Sequence, residues 1–261
     1  MAEVVITQTA EEAGELVAGH IAELMTSNPE AVLGVATGST PLLVYKNLRQ
    51  RVIAGSLTLD HATMFALDEY VGLPVEHPES YRSVIERELM KPLGLDPSRV
   101  HLPDGTPETI QDAGHRYEAK IREAGGVDLQ ILGIGSDGHI GFNEPGSSLA
   151  SETRVKTLTE TTRQDNARFF NSLEEVPRHC ITQGLGTILR ARHLVLLAFG
   201  GGKASAVAAA VEGPISASCP ASAIQLHPRA TIVVDEKAAS KLQNSDYYRY
   251  TWNNKPVWQG I

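Results

Sequence analysis

Only two cysteines occur in the 261 residues, Cys180 and Cys219, and they stand in no paired spacing. That argues against a disulfide framework or a cysteine-built zinc site and for reduced thiols. Long apolar runs are also missing: none approaches the roughly 18 residues of a membrane-spanning helix. Clustered positive charge is absent. The net charge is −8, and Lys and Arg form no long run. Sequence-independent binding to nucleic acid needs grouped cations, so no nucleic-acid partner is expected. An anionic small substrate stays open, because a few local cations suffice for it. No basic leader is visible, with Glu3, Glu11 and Glu12 in its place, and a cytoplasmic location is expected. No internal repeat, low-complexity linker or break in composition divides the chain, so 1–261 reads as a single domain.

What is present is an ordinary globular composition, 42% apolar and 21% charged, sufficient for one large core. Short β-branched runs predict strands at Val4–Ile6, Val32–Ala36, Met64–Leu67, Leu129–Ile134, Leu194–Phe199 and Ile232–Val234. Between them, apolar residues recur at helical spacing: Leu16, Val17, Ile21, Leu24 and Met25, then Tyr81, Val84, Ile85 and Leu89, then Tyr117 and Ile121. Strands alternating with helices predict an α/β fold, a Rossmann-like, doubly wound and mostly parallel sheet flanked by helices. The segment at about 153–182 is less apolar and reads as an excursion, or lid, over the site.

Chemistry concentrates where the predicted strands end. Residues 128–145 read DLQILGIGSDGHIGFNEP. Gly133, Gly135 and Gly138 match the G-x-G-x-x-G dinucleotide fingerprint. That fingerprint needs a helix at its third glycine to hold the pyrophosphate, and Gly141 and Pro145 would break one within two turns. The same stretch carries Asp137, His139 and Glu144. A carboxylate beside an imidazole tunes it for acid–base work near neutral pH. The trio resembles a metal-ligand set as well, but no second His or Cys stands nearby, and no metal is expected. Asp68 and Glu69 follow another strand; strand alternation lets at most one of them face the site. Thr37-Gly38-Ser39-Thr40-Pro41 lies between a strand and a helix, where open backbone N–H groups can cradle a phosphate. The G-K-[ST] ending of a nucleotide loop is absent, and plain capping by Thr40 is the competing reading. Lys203, after Gly200-Gly201-Gly202, and Arg168 are two candidate cations. Tyr247, Tyr248, Tyr250, Trp252 and Trp258 suggest a C-terminal tail that docks, for instance on another subunit.

A phosphate cradle, two cations and several acid–base groups at strand ends suit proton transfer on a phosphorylated small molecule. The residues alone do not choose between isomerase, lyase and hydrolase. ATGSTP at 36–41, LDEYVGLP at 67–74, HPESY at 77–81, LGIGSDGHIGFNEPGSSL at 132–149, TRQDNARFF at 162–170 and GLGTIL at 184–189 closely resemble the isomerising glucosamine-6-phosphate deaminases. That resemblance implies conversion of glucosamine 6-phosphate and water to fructose 6-phosphate and ammonia, without a redox cofactor. It implies Asp68 as the base between C2 and C1, and His139 as the ring-opening group with Asp137 and Glu144 as charge partners. It places the phosphate on Gly38, Ser39 and Thr40 with Arg168 and Lys203. Ser39 departs from the family's common glycine, and a positive φ there would strain it. Some members of that family are hexamers activated by N-acetylglucosamine 6-phosphate, and Ser147, Arg154 and Lys156 match their effector site. A homo-oligomer is therefore expected. The rivals are a 6-phosphogluconolactonase, which would use His139 on water, and a non-catalytic sugar-phosphate sensor.

Overall fold

The computed structural model describes residues 3–256 and 258–261. The chain opens with β1 (Glu3–Thr7), α1 (Ala10–Ser27), β2 (Val32–Val35), α2 (Leu42–Ile53), β3 (Thr63–Ala66) and β4 (Asp68–Tyr70). Next, α3 (Tyr81–Ile85) runs through a π-helical turn into α4 (Lys91–Leu93), followed by β5 (Val100–His101), α5 (Ile110–Glu123) and β6 (Leu129–Leu132). The second half holds β7 (Arg154–Thr157), α6 (Glu160–Asn166), β8 (His179–Thr182), α7 (Leu185–Ile188), β9 (His193–Ala198), α8 (Ala204–Val211), β10 (Ala230–Asp235) and α9 (Ser245–Asn253).

Seven strands form one sheet in the order β1-β10-β9-β6-β2-β3-β5, every pairing parallel. Its strands are apolar on both faces because both faces are covered. In β9, Leu194 and Leu196 pack with Tyr117 and Ile121 of α5, Leu185 and Ile188 of α7, and Val207 of α8. Val195 and Leu197 point the other way, to Val17 and Ile21 of α1, Val44 and Leu48 of α2, and Leu93 of α4. Helix α1 shows how local sequence sets an element. Thr9 accepts the Glu12 N–H at 3.1 Å, while Glu12 returns a carboxylate to the Gln8 N–H at 2.9 Å. Loss of such a cap costs about 1 kcal/mol. No helix among the described residues is long and apolar enough to cross a membrane.

Each predicted strand lies in this sheet to within a residue or two. A second sheet was not foreseen: three antiparallel strands in the order β4-β8-β7. After Leu67 the chain leaves the parallel sheet, and Asp68 pairs with Thr182 and Tyr70 with Cys180. Asp68 and Glu69 therefore begin a new strand instead of a loop. The segment at 153–182 is bounded by β7 and β8, with α6 and a 3₁₀ turn at Ala167–Phe169 between them. Lys203 closes a 3₁₀ turn at Gly201–Lys203 just before α8. The aromatic tail docks on its own chain: Trp252 and Tyr248 pack against the two cores, leaving Tyr247, Tyr250 and Trp258 exposed.

Candidate active site

From β2 the chain steps outward to β3 and β5, then returns to place β6 on the other side of β2. This reversal is the topological switch point, where open α/β sheets form a crevice at the carboxyl ends of their strands. The loops after β2 and β6 are Thr37–Pro41 and Gly133–Pro145. They meet there: a side chain at Gly133 would lie 4.0 Å from Thr40 Oγ1.

The loop after β6 folds tightly on itself. Gly135 N–H donates to the His139 carbonyl at 2.9 Å, and His139 N–H to Asp137 Oδ1 at 3.1 Å. The imidazole then lies over Gly135, where a Cβ would sit 2.3 Å from Nδ1. Only glycine allows this approach. His139 Nδ1 is 2.7 Å from Asp137 Oδ1 and 3.8 Å from Glu144 Oε2, and the ligand atoms of all three residues lie within 4.8 Å of one another. The closer contact is poorly aligned for a hydrogen bond, and it is an ion pair when the imidazole carries a proton. The imidazole beside Asp137 holds that carboxyl far below the usual carboxylate range. Glu144 is buried; its Oε1 accepts from the Thr162 hydroxyl at 2.5 Å and the Thr159 hydroxyl at 3.3 Å, and its Oε2 has no hydrogen-bond partner among the described residues.

Asp68 faces this loop and Glu69 faces away, as strand alternation requires. A Cβ at Gly141 would lie 3.3 Å from Asp68 Oδ2 and 3.0 Å from Thr182 Oγ1. Asp68 is 6% exposed, and burial, reinforced by Glu69, pushes its pKa up to about 8. Glu69 instead accepts the backbone N–H groups of Tyr70, Tyr81 and Arg82 at 2.8–2.9 Å, bracing the start of α3.

At the cradle, Gly38 carries φ 88° and no other residue of the turn has a positive φ. Ser39 is unstrained, because the turn's left-handed position falls on Gly38. Pro41, not Thr40, stands at the α2 N-cap, and no side chain caps that helix. Capping by Thr40, the reading that competed with the phosphate cradle, is not seen. Tyr45 clamps the loop base, its hydroxyl bonding both the N–H and the C=O of Ala36. Burial lowers the pKa of Lys203; Asp165 and Asp137 oppose the shift and Arg168 adds to it. Lys203 and Arg168 thus sense the same field, while the Arg168 guanidinium lies 4.8 Å over the Phe169 ring.

The family model described as glucosamine-6-phosphate isomerases/6-phosphogluconolactonase matches residues 6–233. The chain belongs to this family. A Streptomyces avermitilis protein named glucosamine-6-phosphate deaminase is 62% identical over 260 residues, covering 99% of this chain and all of the relative. A Bifidobacterium longum protein of the same name is 57% identical, with both chains fully covered. Among solved structures, one described as a monomeric glucosamine-6-phosphate deaminase superposes with a TM-score of 0.89 at 41% identity, covering 92% of this chain and 99% of its own. A 6-phosphogluconolactonase from Trypanosoma cruzi reaches 0.75 at 20% identity, covering 93% and 97%; it shares the fold.

Within this family fold, Arg154 has an internal use. Its Nη1 donates to Asn143 Oδ1 at 2.7 Å, and Asn143 Nδ2 donates to the carbonyls of Ile140 and Gln183 at 2.9 and 2.8 Å. Lys156 shares a strand face with Arg154, and Ser147 is buried, its hydroxyl without a partner. No hydrogen bond joins Ser147 to either cation among the described residues. Sequence reasoning missed Asn143, Thr162, Asp235 and Glu118. Asp235 fixes the glycine turn before Lys203 by accepting the Gly200 N–H at 3.0 Å. Glu118, buried in α5, takes the Thr153 N–H at 2.9 Å, the Thr187 hydroxyl at 2.6 Å and Arg190 Nη2 at 2.5 Å, tying β7 to α5 and α7. Asn143 had a visible signal, because it sits inside the acid–base loop. The others are single polar residues on helix faces or at a strand end.

Proposed function

We propose that this chain is a cytoplasmic glucosamine-6-phosphate deaminase, converting D-glucosamine 6-phosphate and water to D-fructose 6-phosphate and ammonia. The observation that carries the reading is the buried Asp68 carboxyl facing the Asp137–His139–Glu144 loop across Gly141. In this reading the substrate phosphate lies on Gly38, Ser39 and Thr40, with Lys203 and Arg168 supplying charge. A dianion there favours the charged form of Lys203 and opposes the effect of burial. His139 moves the proton from O1 to the ring oxygen, opening the pyranose to the C1 aldehyde, while Asp137 and Glu144 support the imidazolium that forms. Asp68 takes the C2 proton, giving an enolamine, and returns it to C1. The resulting C2 imine adds water and expels ammonia, leaving the ketose. No electrons leave the substrate, so the reaction needs no redox cofactor.

A lactonase has no use for a base at Asp68, and a sensor has no use for Asp68, His139 or Glu144. The test is an ammonia-release assay on glucosamine 6-phosphate with the co-product identified. Ammonia in equal amount to fructose 6-phosphate is the expected result, and a lactonase would give neither.

We read Ser147, Arg154 and Lys156 as a candidate site for N-acetylglucosamine 6-phosphate in a homo-oligomer. The shared strand face of Arg154 and Lys156 supports this. The engagement of Arg154 with Asn143 weighs against it, as does the monomeric description of the relative at 41% identity. Velocity curves with and without the effector decide, and an unchanged curve removes the site.

A further inference from the structure

We infer that Thr162 is a positioning residue: its hydroxyl holds one oxygen of Glu144, coupling the excursion at 158–178 to the orientation of the carboxylate beside His139. The inference rests on the proposed function and extends it to a residue outside the acid–base loop.

Glu144 is 3% exposed, and its two oxygens have different surroundings. Oε2 has no hydrogen-bond partner among the described residues and lies 3.8 Å from His139 Nδ1. Oε1 receives the Thr162 hydroxyl at 2.5 Å and the Thr159 hydroxyl at 3.3 Å. Both threonines belong to the start of α6. Thr159 is its N-cap, accepting the Thr162 N–H at 3.1 Å, and the two hydroxyls are 3.0 Å apart. One edge of the carboxylate is thus fixed by the excursion, and the other is presented to the imidazole.

The far end of α6 is tied down separately. Asn166 Nδ2 donates to the Tyr70 hydroxyl at 3.1 Å, next door to Asp68. Beyond it, Asp165 and Arg168 act electrostatically on Lys203. A displacement of α6 therefore moves two things together: the Arg168 cation and the donors on Glu144. Phosphate held by Arg168 would keep the Thr162 hydroxyl on Oε1, so that binding at a non-reacting group steadies the acid–base group. With α6 lifted, Glu144 would be a buried carboxylate without a hydrogen-bond donor.

The test compares Thr162→Val, isosteric but without the hydroxyl, with Thr162→Ser, which keeps it. In the ammonia assay Thr162→Val should lower kcat by about tenfold or more, as expected for loss of a hydrogen bond to a charged group. It should lower kcat/KM by the same factor, because the donor acts on the acid–base group and not on the bound sugar phosphate. Amide exchange in α6 should quicken. Thr162→Ser should restore all three readouts. A Val variant with wild-type kcat overturns the inference, as does a Ser variant as impaired as the Val one. If the Val variant does not fold, Thr162→Ala takes its place against the same Ser control. Absence of ammonia from the wild type sinks the proposed function instead, while the exchange comparison still reports on the tether.

Discussion

Asp68→Asn keeps the shape of the side chain and removes its charge, and its effects on activity and stability should run in opposite directions. Burial, with Glu69 beside it, raises the pKa of Asp68 from 3.8 to about 8. A folded-state pKa above the unfolded value means that the folded protein holds this proton more tightly. The group's contribution to stability is fully present below about pH 4 and is lost as pH rises through about 8. Between pH 5 and pH 9 the difference is about 4 kcal/mol at 1.36 kcal/mol per pKa unit. Relaxation and water entry around the buried charge reduce it to about 2–4 kcal/mol. Asn carries no such penalty, and Glu69 is present in both proteins. The melting temperature of Asp68→Asn relative to wild type should therefore climb by about 4–16 °C from pH 5 to pH 9.

Activity should move the other way. Loss of a general base costs at least about a hundredfold in kcat, and wild-type kcat/KM should rise through an apparent pKa near 8. The assays are thermal melts across that pH range and ammonia release at each pH. A melting difference that does not change with pH would show that the charge at Asp68 is not buried. Turnover within tenfold of wild type would show that the carboxylate is not the base.

Two further outcomes are expected. Lys203→Ala should raise KM for the sugar phosphate by about 10–100-fold and leave kcat nearly unchanged, as for uniform binding of a group equally charged in ground and transition states; steady-state kinetics check this, and an unchanged KM removes Lys203 from the site. His193, buried beside Thr231 and His20 at the opposite end of the sheet, has its pKa lowered to about 3, by burial first and then by Arg229. A folded pKa below the unfolded 6.5 gives stability that is present above about pH 6.5 and lost as pH falls toward 3. At pH 5 the loss is about 2 kcal/mol, so His193→Gln should flatten the fall in melting temperature between pH 7 and pH 5. Parallel curves for the two proteins would refute it.

The parallel sheet was legible because its strands are buried on both faces and carry uninterrupted apolar runs. Leu129–Leu132 and Leu194–Ala198 need no partner in view to be recognised. The small antiparallel sheet was not legible for the opposite reason. Arg154–Thr157 alternates half-buried and exposed residues, and Asp68–Tyr70 is three residues long and begins with two acids. Their pairing comes from the chain turning away after Leu67, a tertiary event with no local pattern. The site divides the same way. Asp137, His139 and Glu144 lie within eight residues of one another and declare themselves. Thr162, Asp235 and Glu118 act across 18 to 72 positions of sequence, and nothing local marks a threonine in an N-terminal helical turn as a donor to a distant carboxylate.

The proposed acid–base assignment rests on how differently the structure treats two aspartates. Asp137 is partly exposed and sits against an imidazole, which holds its carboxyl far down. It stays ionised throughout the working range, and in the proposed reading it orients His139. Asp68 is buried with another acid beside it and titrates near 8, where a carboxyl both takes and returns a proton readily. A base between two carbons must do both within one turnover, and a group held strongly ionised takes the proton poorly. Groups whose environments drive their pKa values apart are suited to separate tasks. Asp68 fits the carbon-to-carbon proton, and Asp137 fits the fixed charge behind the ring-opening imidazole. Exchanging the roles would ask a strongly ionised carboxylate to hold a proton, and a buried, protonated one to stabilise an imidazolium.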